Sequence, residues 1–248
     1  MRFDVITLFP ELFEPFLKLG VTRRAYESKQ VDVRLWPLRE HGEGAHQRVD
    51  DRPFGGGPGM VLLAEPLQRA LAAVAADRGE AVPAVIHFTP TGQRIDQPLV
   101  RQLAAGPGAV LLCGRYEGID QRFLDRHVTL ELSLGDFVLS GGELPAMTLL
   151  DAIARLQPGV LGHEQSAEQD SFGADGLLDC PHYSRPENLE GQPVPPALLS
   201  GHHAQIERGR RDRSLELTVR RRPELIAAAR AAGHLSKADE AFLAGLSL

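Results

Sequence analysis

The chain has 248 residues, 43% of them hydrophobic and 24% charged, with a net charge of −6. Those proportions suit a soluble globular protein and exclude disordered and fibrous architectures, and the length predicts one larger domain plus a small one. No run of about 18 apolar residues is present to cross a bilayer, and Met1-Arg2-Phe3-Asp4-Val5 begins a strand-like pattern with no leader character, so a cytoplasmic protein with no membrane partner is expected.

In chain order, apolar and β-branched runs at 3–9, 31–36, 82–88, 109–113 and 128–132 predict strands. Helical periodicity falls at 66–76, 97–104 and 144–156. This alternation predicts an α/β fold with a largely parallel sheet wrapped by helices. Between 157 and 196 the pattern dissolves into glycine, proline and polar residues, too long for an ordinary loop, and reads as a linker that carries function. Its 162–176 stretch has the polar composition of a lid. A basic helical segment follows and breaks at Arg222-Pro223. Two short helices close the chain, the last opened by Ser236 with Asp239 three residues on as a capping box. The expected layout is an α/β domain over 1–160, a polar linker or lid over 161–196, and a small all-α domain over 197–248.

Charge and cysteine sharpen this. Residues 201–222 hold seven arginines against Glu207, Asp212 and Glu216, a net +4 that leaves −10 for the remainder. Such asymmetry fits an anionic partner docking at the C-terminal part, and equally fits a solvated helix face. Cys113 and Cys180 are too few and too far apart for a disulfide framework or a Cys-x-x-Cys metal site, so free thiols are expected.

Three glycine-rich segments stand out. Phe54-Gly55-Gly56-Gly57-Pro58-Gly59 contains G-x-G-x-G but follows the polar Asp50-Asp51-Arg52-Pro53, so the strand that a dinucleotide fingerprint requires is missing. Leu139-Ser140-Gly141-Gly142-Glu143 resembles an ATPase signature, yet the chain has no Gly-Lys pair to cradle phosphates, and no G-x-S-x-G nucleophile elbow. Cys113-Gly114-Arg115-Tyr116-Glu117-Gly118 directly follows an apolar run and so lies at a strand's C-terminal end, where open α/β sheets bind ligands. The Leu139–Glu143 loop also follows a strand, and Pro145 marks the start of a helix. Spacing alone does not separate binding loops from tight turns here.

Together with Leu8-Phe9-Pro10-Glu11, Asp170-Ser171-Phe172, Pro181-His182-Tyr183 and Leu199-Ser200-Gly201-His202-His203, these segments resemble the bacterial tRNA (guanine-N1)-methyltransferase family, TrmD, of the SPOUT class, nearly end to end. The resemblance implies a trefoil-knotted methyl-donor site, although knots are nearly absent among folds, a homodimer, and a helical C-terminal domain that helps hold tRNA. It implies S-adenosylmethionine as methyl donor, a Mg²⁺ requirement and a target guanine at position 37. By the same carry-over the donor-binding positions are Thr89, Pro90, Gly114, Tyr116, Glu117, Gly118, Leu134, Gly135, Asp136, Phe137, Val138, Leu139, Gly141, Gly142 and Pro145. The tRNA contacts are Asp50, Arg52, Arg208, Arg210, Arg211 and Arg220. Departures from the family pattern are Phe54 and Phe137 in place of tyrosine, Gly209 in place of tryptophan and Leu217 in place of arginine.

Methylating N1 of guanine requires loss of the N1 proton, and the charge then spreads to O6. The resemblance assigns the base to Asp170 and the cation to Arg155. On spacing alone these are an exposed loop carboxylate and a cation at a helix C-terminus. Histidines 182, 202 and 203 have no partner spacing that fits zinc, so no protein metal site is expected. Two rival functions stay open: methylation of a ribose 2′-hydroxyl, and a non-catalytic RNA-binding module of the same fold.

Overall fold

The computed structural model describes residues 1–79, 84–162, 166 and 168–246. Val82 and Pro83 of the third expected strand, and His163, Glu164, Gln165 and Ala167 of the expected lid, lie outside the described residues. The chain folds as two compact units, Met1–Gly162 and His163–Leu248.

The strands of the first unit are β1 (Arg2–Thr7), β2 (Asp32–Pro37), the two-residue β3 (Asp50–Asp51) and β4 (Val61–Leu62), β5 (Val85–Arg94), β6 (Gly108–Leu112) and β7 (Leu130–Ser133). Five of them form an all-parallel sheet in the order β2-β1-β6-β5-β7, and β3 and β4 pair antiparallel beside it. Its helices are α1 (Phe13–Lys18), α2 (Arg23–Glu27), α3 (Ala64–Arg78), α4 (Gln97–Ala104), α5 (Gln121–His127) and α6 (Glu143–Arg155).

Consecutive apolar residues in β1 and β6 point to opposite faces of the sheet, and both faces are covered. Phe3, Val5, Ala109 and Leu111 pack with Phe13 of α1, Ala25 of α2, Leu99 of α4 and Leu149 and Ile153 of α6. Ile6, Val110 and Leu112 pack on the other side with Leu67 and Val74 of α3 and Phe123 of α5. The result is the expected α/β architecture with a parallel central sheet.

Sequence and structure differ most at β5. The apolar run predicts a strand ending at Phe88, but the strand continues to Arg94 through a break in register: Phe88 and Gln93 both pair with Leu132, so 89–92 loop out of the ladder. Gly92 belongs there because a Cβ would come within 2.5 Å of the Glu131 carbonyl carbon. Helices α1, α2 and α5 have only 6, 5 and 7 residues and escape the periodicity test, which needs longer windows. Helix α4 falls on the expected 97–104, where the Asp96 carboxylate accepts a hydrogen bond from the Leu99 amide at 2.9 Å.

The second unit has a short hairpin, β8 (Asn188–Leu189) with β9 (Gln192–Pro193), then α7 (Pro196–Leu199), α8 (His203–Arg221), α9 (Pro223–Ala231) and α10 (Lys237–Ala244). Leu177, Leu215, Ile226, Ala229 and Leu243 form its core. Helix α8 stops before Arg222-Pro223, and Ser236 with Asp239 closes the expected capping box at α10. No helix among the described residues is long and apolar enough to cross a membrane. Both cysteines are free and buried.

Candidate active site

Chain crossovers in an open parallel sheet leave a crevice at the strands' C-terminal ends. Here a cavity of about 320 Å³ opens past the ends of β6 and β7 and beside the bulge of β5. The bulge supplies Thr89 and Pro90, the loop after β6 supplies Gly114, Tyr116, Glu117 and Gly118, and the stretch between β7 and α6 supplies Leu134, Gly135, Phe137, Val138, Leu139, Gly141 and Gly142, with Pro145 behind them on α6. Fourteen of the fifteen residues that the resemblance named for the donor therefore line one cavity. Asp136 does not: it is exposed and forms an ion pair with Arg94.

The cavity is shaped by bare backbone. The Gly142 amide donates to the Gly114 carbonyl at 3.0 Å, and a Cβ on Gly142 would lie 2.7 Å from Cys113 Cα, so the two loops meet only because position 142 is glycine. The 114–118 loop also rests on the strand that follows Gly59: the Glu117 amide donates to the Met60 carbonyl at 3.0 Å, and the Leu62 amide to the Gly118 carbonyl at 2.9 Å. A Cβ on Gly59 would lie 2.2 Å from Glu117 Oε1. The segment that ends at Gly59 thus supports the 114–118 loop. Tyr116 sits at φ +60°, a backbone region that costs a non-glycine residue about 1–3 kcal/mol and that clusters at ligand sites.

His87, Phe88, Arg115, Ser133 and Ser140 line the same cavity. Arg115 and Ser140 lie inside the glycine-rich segments read from the sequence, whereas His87, Phe88 and Ser133 are legible only by their closeness to Thr89 and Leu134. Burial holds the His87 imidazole below its ordinary pKa, partly offset by Glu131 at 3.5 Å, so the ring is neutral at pH 7. Burial pushes the Cys113 thiol well up, with Glu143 adding to it. That thiol is a packing group and not a nucleophile.

The TrmD tRNA (guanine-1)-methyltransferase family model matches residues 1–228. The chain is 67% identical over 252 residues to a tRNA (guanine-N(1)-)-methyltransferase of Paracidovorax citrulli (strain AAC00-1), covering 100% of this chain and 99% of that one. It is 68% identical to the protein of that name from Leptothrix cholodnii, with both chains covered fully. A third, from Methylibium petroleiphilum, is 64% identical, with 99% of this chain and 98% of the relative covered. The chain belongs to the TrmD family.

The remaining residues named from the family lie elsewhere. Arg155 is the last residue of α6 and is half-buried. Asp170 belongs to the second unit and is exposed, and its Oδ1 accepts from the Ser171 amide at 2.8 Å. Asp50 is half-buried in β3 and Arg52 is exposed just beyond it. On α8 the arginines separate. Arg208 pairs with Asp212 and, at 2.8 Å, with Asp239; Arg211 pairs with Asp175 and, at 3.2 Å, with Asp239; Arg220 pairs with Glu216 at 3.1 Å. Arg210 has no ion pair among the described residues.

The ligand-bearing atoms of Asp179, Cys180 and His182 lie within 4.8 Å of one another. His182 was considered from sequence without its neighbours, because adjacent Asp and Cys fit no spacing rule. Asp179 already holds His182 by a 2.8 Å hydrogen bond, and a protonated thiol is a poor ligand for Mg²⁺, which takes oxygen donors. The cluster does not fit that ion.

Proposed function

We propose that the chain transfers a methyl group from S-adenosylmethionine to N1 of a guanine in tRNA, at position 37 beside the anticodon. The observation that carries this reading is the convergence of three loops on one glycine-walled cavity in a chain of the TrmD family. The cavity's chemistry suits the donor. Bare backbone at Gly114, Gly135, Gly141 and Gly142 can approach a ligand closely, Phe88, Leu134 and Val138 offer apolar surface to a flat ring, and Glu117 offers one carboxylate to hydroxyl or ammonium groups. When bound, the donor supplies an electrophilic methyl on a sulfonium centre.

The protein's own residues then manage the proton and the charge. Asp170 takes the N1 proton as general base, and Arg155 offsets the negative charge that develops on O6. A carboxylate in water is a weak base, so Asp170 works best once substrate and the 162–176 segment exclude water around it. Arginines of the second unit hold phosphates, with Arg210 best placed because its guanidinium is not spent on an internal pair. In the cytoplasm the enzyme works as a knotted homodimer, whose interface would cover apolar side chains such as Phe137, Val138 and Leu144, exposed at 55%, 86% and 53%. No step is assigned to Mg²⁺.

Incubating unmodified tRNA transcripts with labelled donor and this protein, followed by nucleoside mass spectrometry, tests the reading. 1-Methylguanine at position 37 is the expected product. A 2′-O-methylated nucleoside would transfer the chain to the rival chemistry, and no methylated product would leave an RNA-binding module.

A further inference from the structure

Beneath the cavity a charge is buried that none of the donor contacts requires. Glu143 is the first residue of α6 and 1% exposed, and it does not line the cavity. Its Oε1 accepts from Thr7 Oγ1, at the end of β1, at 2.8 Å, and its Oε2 lies 2.9 Å from Arg115 Nε on the loop after β6. Arg115 also donates from Nη1 to the Ser140 carbonyl at 3.1 Å, and its guanidinium lies 4.5 Å above the Phe9 ring. The end of β1, the loop after β6 and the N-terminus of α6 are joined through one carboxylate.

A buried ion pair is a poor way to gain stability, since apolar groups of the same size pack there at less desolvation cost; its best-attested use is to fix a register. The register fixed here is that of the cavity walls. Glu143 sits at a helix N-terminus, which favours its charge. Arg115 Nε and Glu143 Oε2 are close but not aligned for a hydrogen bond, so the pair acts through charge at short range, with the carboxylate buried and the guanidinium reaching the cavity wall. A Cβ on Gly141 would lie 2.3 Å from Arg115 Nε and 2.6 Å from Glu143 Oε2, so the ion pair occupies the space over that glycine and accounts for its bareness. Arg115 and Gly141 also pair as an isolated antiparallel bridge, placing backbone and side-chain ties side by side.

We infer that Thr7, Glu143 and Arg115 form a strut that sets the separation of the two glycine loops, which makes Glu143 a positioning residue for the methyl donor. The inference rests on the donor reading of the cavity. Calorimetric titration of S-adenosylhomocysteine into the full chain tests it, beside thermal unfolding of each variant. Glu143→Gln keeps an acceptor for Thr7 and removes the charge. It weakens affinity about tenfold or more, read at a temperature where the variant is still folded, and it also lowers the melting temperature because the Arg115 charge loses its buried partner. Arg115→Met does the same, the double variant is no weaker than the weaker single one, and Arg115→Lys recovers more than half of the loss on a logarithmic scale. Thr7→Val leaves both charges in place and gives a smaller loss, about threefold, which keeps the inference testable where Glu143→Gln does not fold. Affinity within twofold of the wild type in Glu143→Gln or Thr7→Val overturns the strut, as do losses that multiply in the double variant. A wild-type chain that binds no S-adenosylhomocysteine overturns the donor reading, and the inference with it.

Discussion

The cavity of the first unit is walled by bare backbone and braced beneath by one buried ion pair, whereas the exposed faces of helix α8 in the second unit are laced by many paired side-chain charges. At the cavity, Gly142 meets the Cys113 backbone so closely that one added carbon is excluded, and Gly59, at φ +79°, leaves room for the Glu117 side chain. On α8, Arg208 and Arg211 converge on Asp239, while Arg213 and Arg220 share Glu216. A site made of backbone has one solution, and its residue types follow from space. A surface made of arginines has several, because the same guanidinium serves a phosphate or an internal carboxylate equally well. Glycine loops therefore carry functional information at single positions, and a basic run carries it only as a sum.

The largest effect expected lies in neither region. Asp170→Asn removes the group assigned to accept the N1 proton and leaves the cavity untouched. Turnover falls by about 10²–10⁴, the span of general-base contributions, while donor affinity stays within about twofold. Arg155→Ala slows the chemical step by about 10²-fold. Single-turnover methylation at saturating donor checks both, and a near-normal rate in either variant removes that residue from its role.

Next comes the backbone side of the comparison. Gly142→Ala drives a Cβ to within 2.7 Å of Cys113 Cα and 3.1 Å of the Gly114 amide, neither of which can swing aside. Donor affinity drops about 100-fold, equivalent to 2–3 kcal/mol of forced shift in a packed wall, and tRNA affinity is unaffected. Calorimetry with donor and, separately, with tRNA distinguishes this from global damage. Donor binding within threefold of the wild type would mean that the loops do not meet as described.

Legibility in the sequence follows the same division. Continuous apolar runs are readable as buried parallel strands, because burial on both faces leaves no polar alternation to confuse them, and Ala109 through Leu112 bears this out. The extension of β5 was not readable, since Thr89-Pro90-Thr91-Gly92 has the composition of a turn and behaves as a bulge inside a strand. That the glycine segments face one cavity came from family resemblance and not from spacing. In the sequence only Asp212, four residues after Arg208, distinguishes Arg208 from Arg210; the second carboxylate that separates them, Asp239, lies far along the chain on another helix.

Asp239 turns the charge side of the comparison into a stability measurement. Burial raises its pKa, but hydrogen bonds from Ser236, Arg211 and Arg208 outweigh that and bring it from 3.8 to about 2. A depressed carboxylate contributes stability that is full above the unfolded value and is lost as pH falls through the folded one, so the window runs from about pH 4 down to about pH 2. The contribution at neutral pH is about 2 kcal/mol. Urea unfolding of wild type and Asp239→Asn at pH 7 and pH 2.5 checks it. The gap between the two proteins narrows in acid, and a gap independent of pH would remove Asp239 from this role. Arg208→Ala is expected to destabilise the second unit by about 1–3 kcal/mol, since it leaves Asp239, 4% exposed, with one partner fewer.

The smallest effect decides whether α8 also reaches RNA. Arg210 lies on the same helix as Arg208 but has no ion pair among the described residues, and it is exposed, so its charge is available to a phosphate. Each phosphate contact releases condensed counterions on binding, and removing one contact flattens the slope of log affinity against log salt by about 0.7–0.9. Arg210→Ala is therefore expected to lose one such increment while stability and donor affinity stay unchanged. Arg208→Ala, its charge already balanced by Asp212 and Asp239, should leave the salt slope nearly unchanged and lose stability instead. Measuring tRNA affinity for both variants across a salt series separates the two fates of an arginine on one helix. Equal flattening in both would show that internal pairing does not withhold a guanidinium from RNA. No flattening in Arg210→Ala would move the phosphate contacts off this part of α8, towards Arg221 or the Arg52 loop of the first unit.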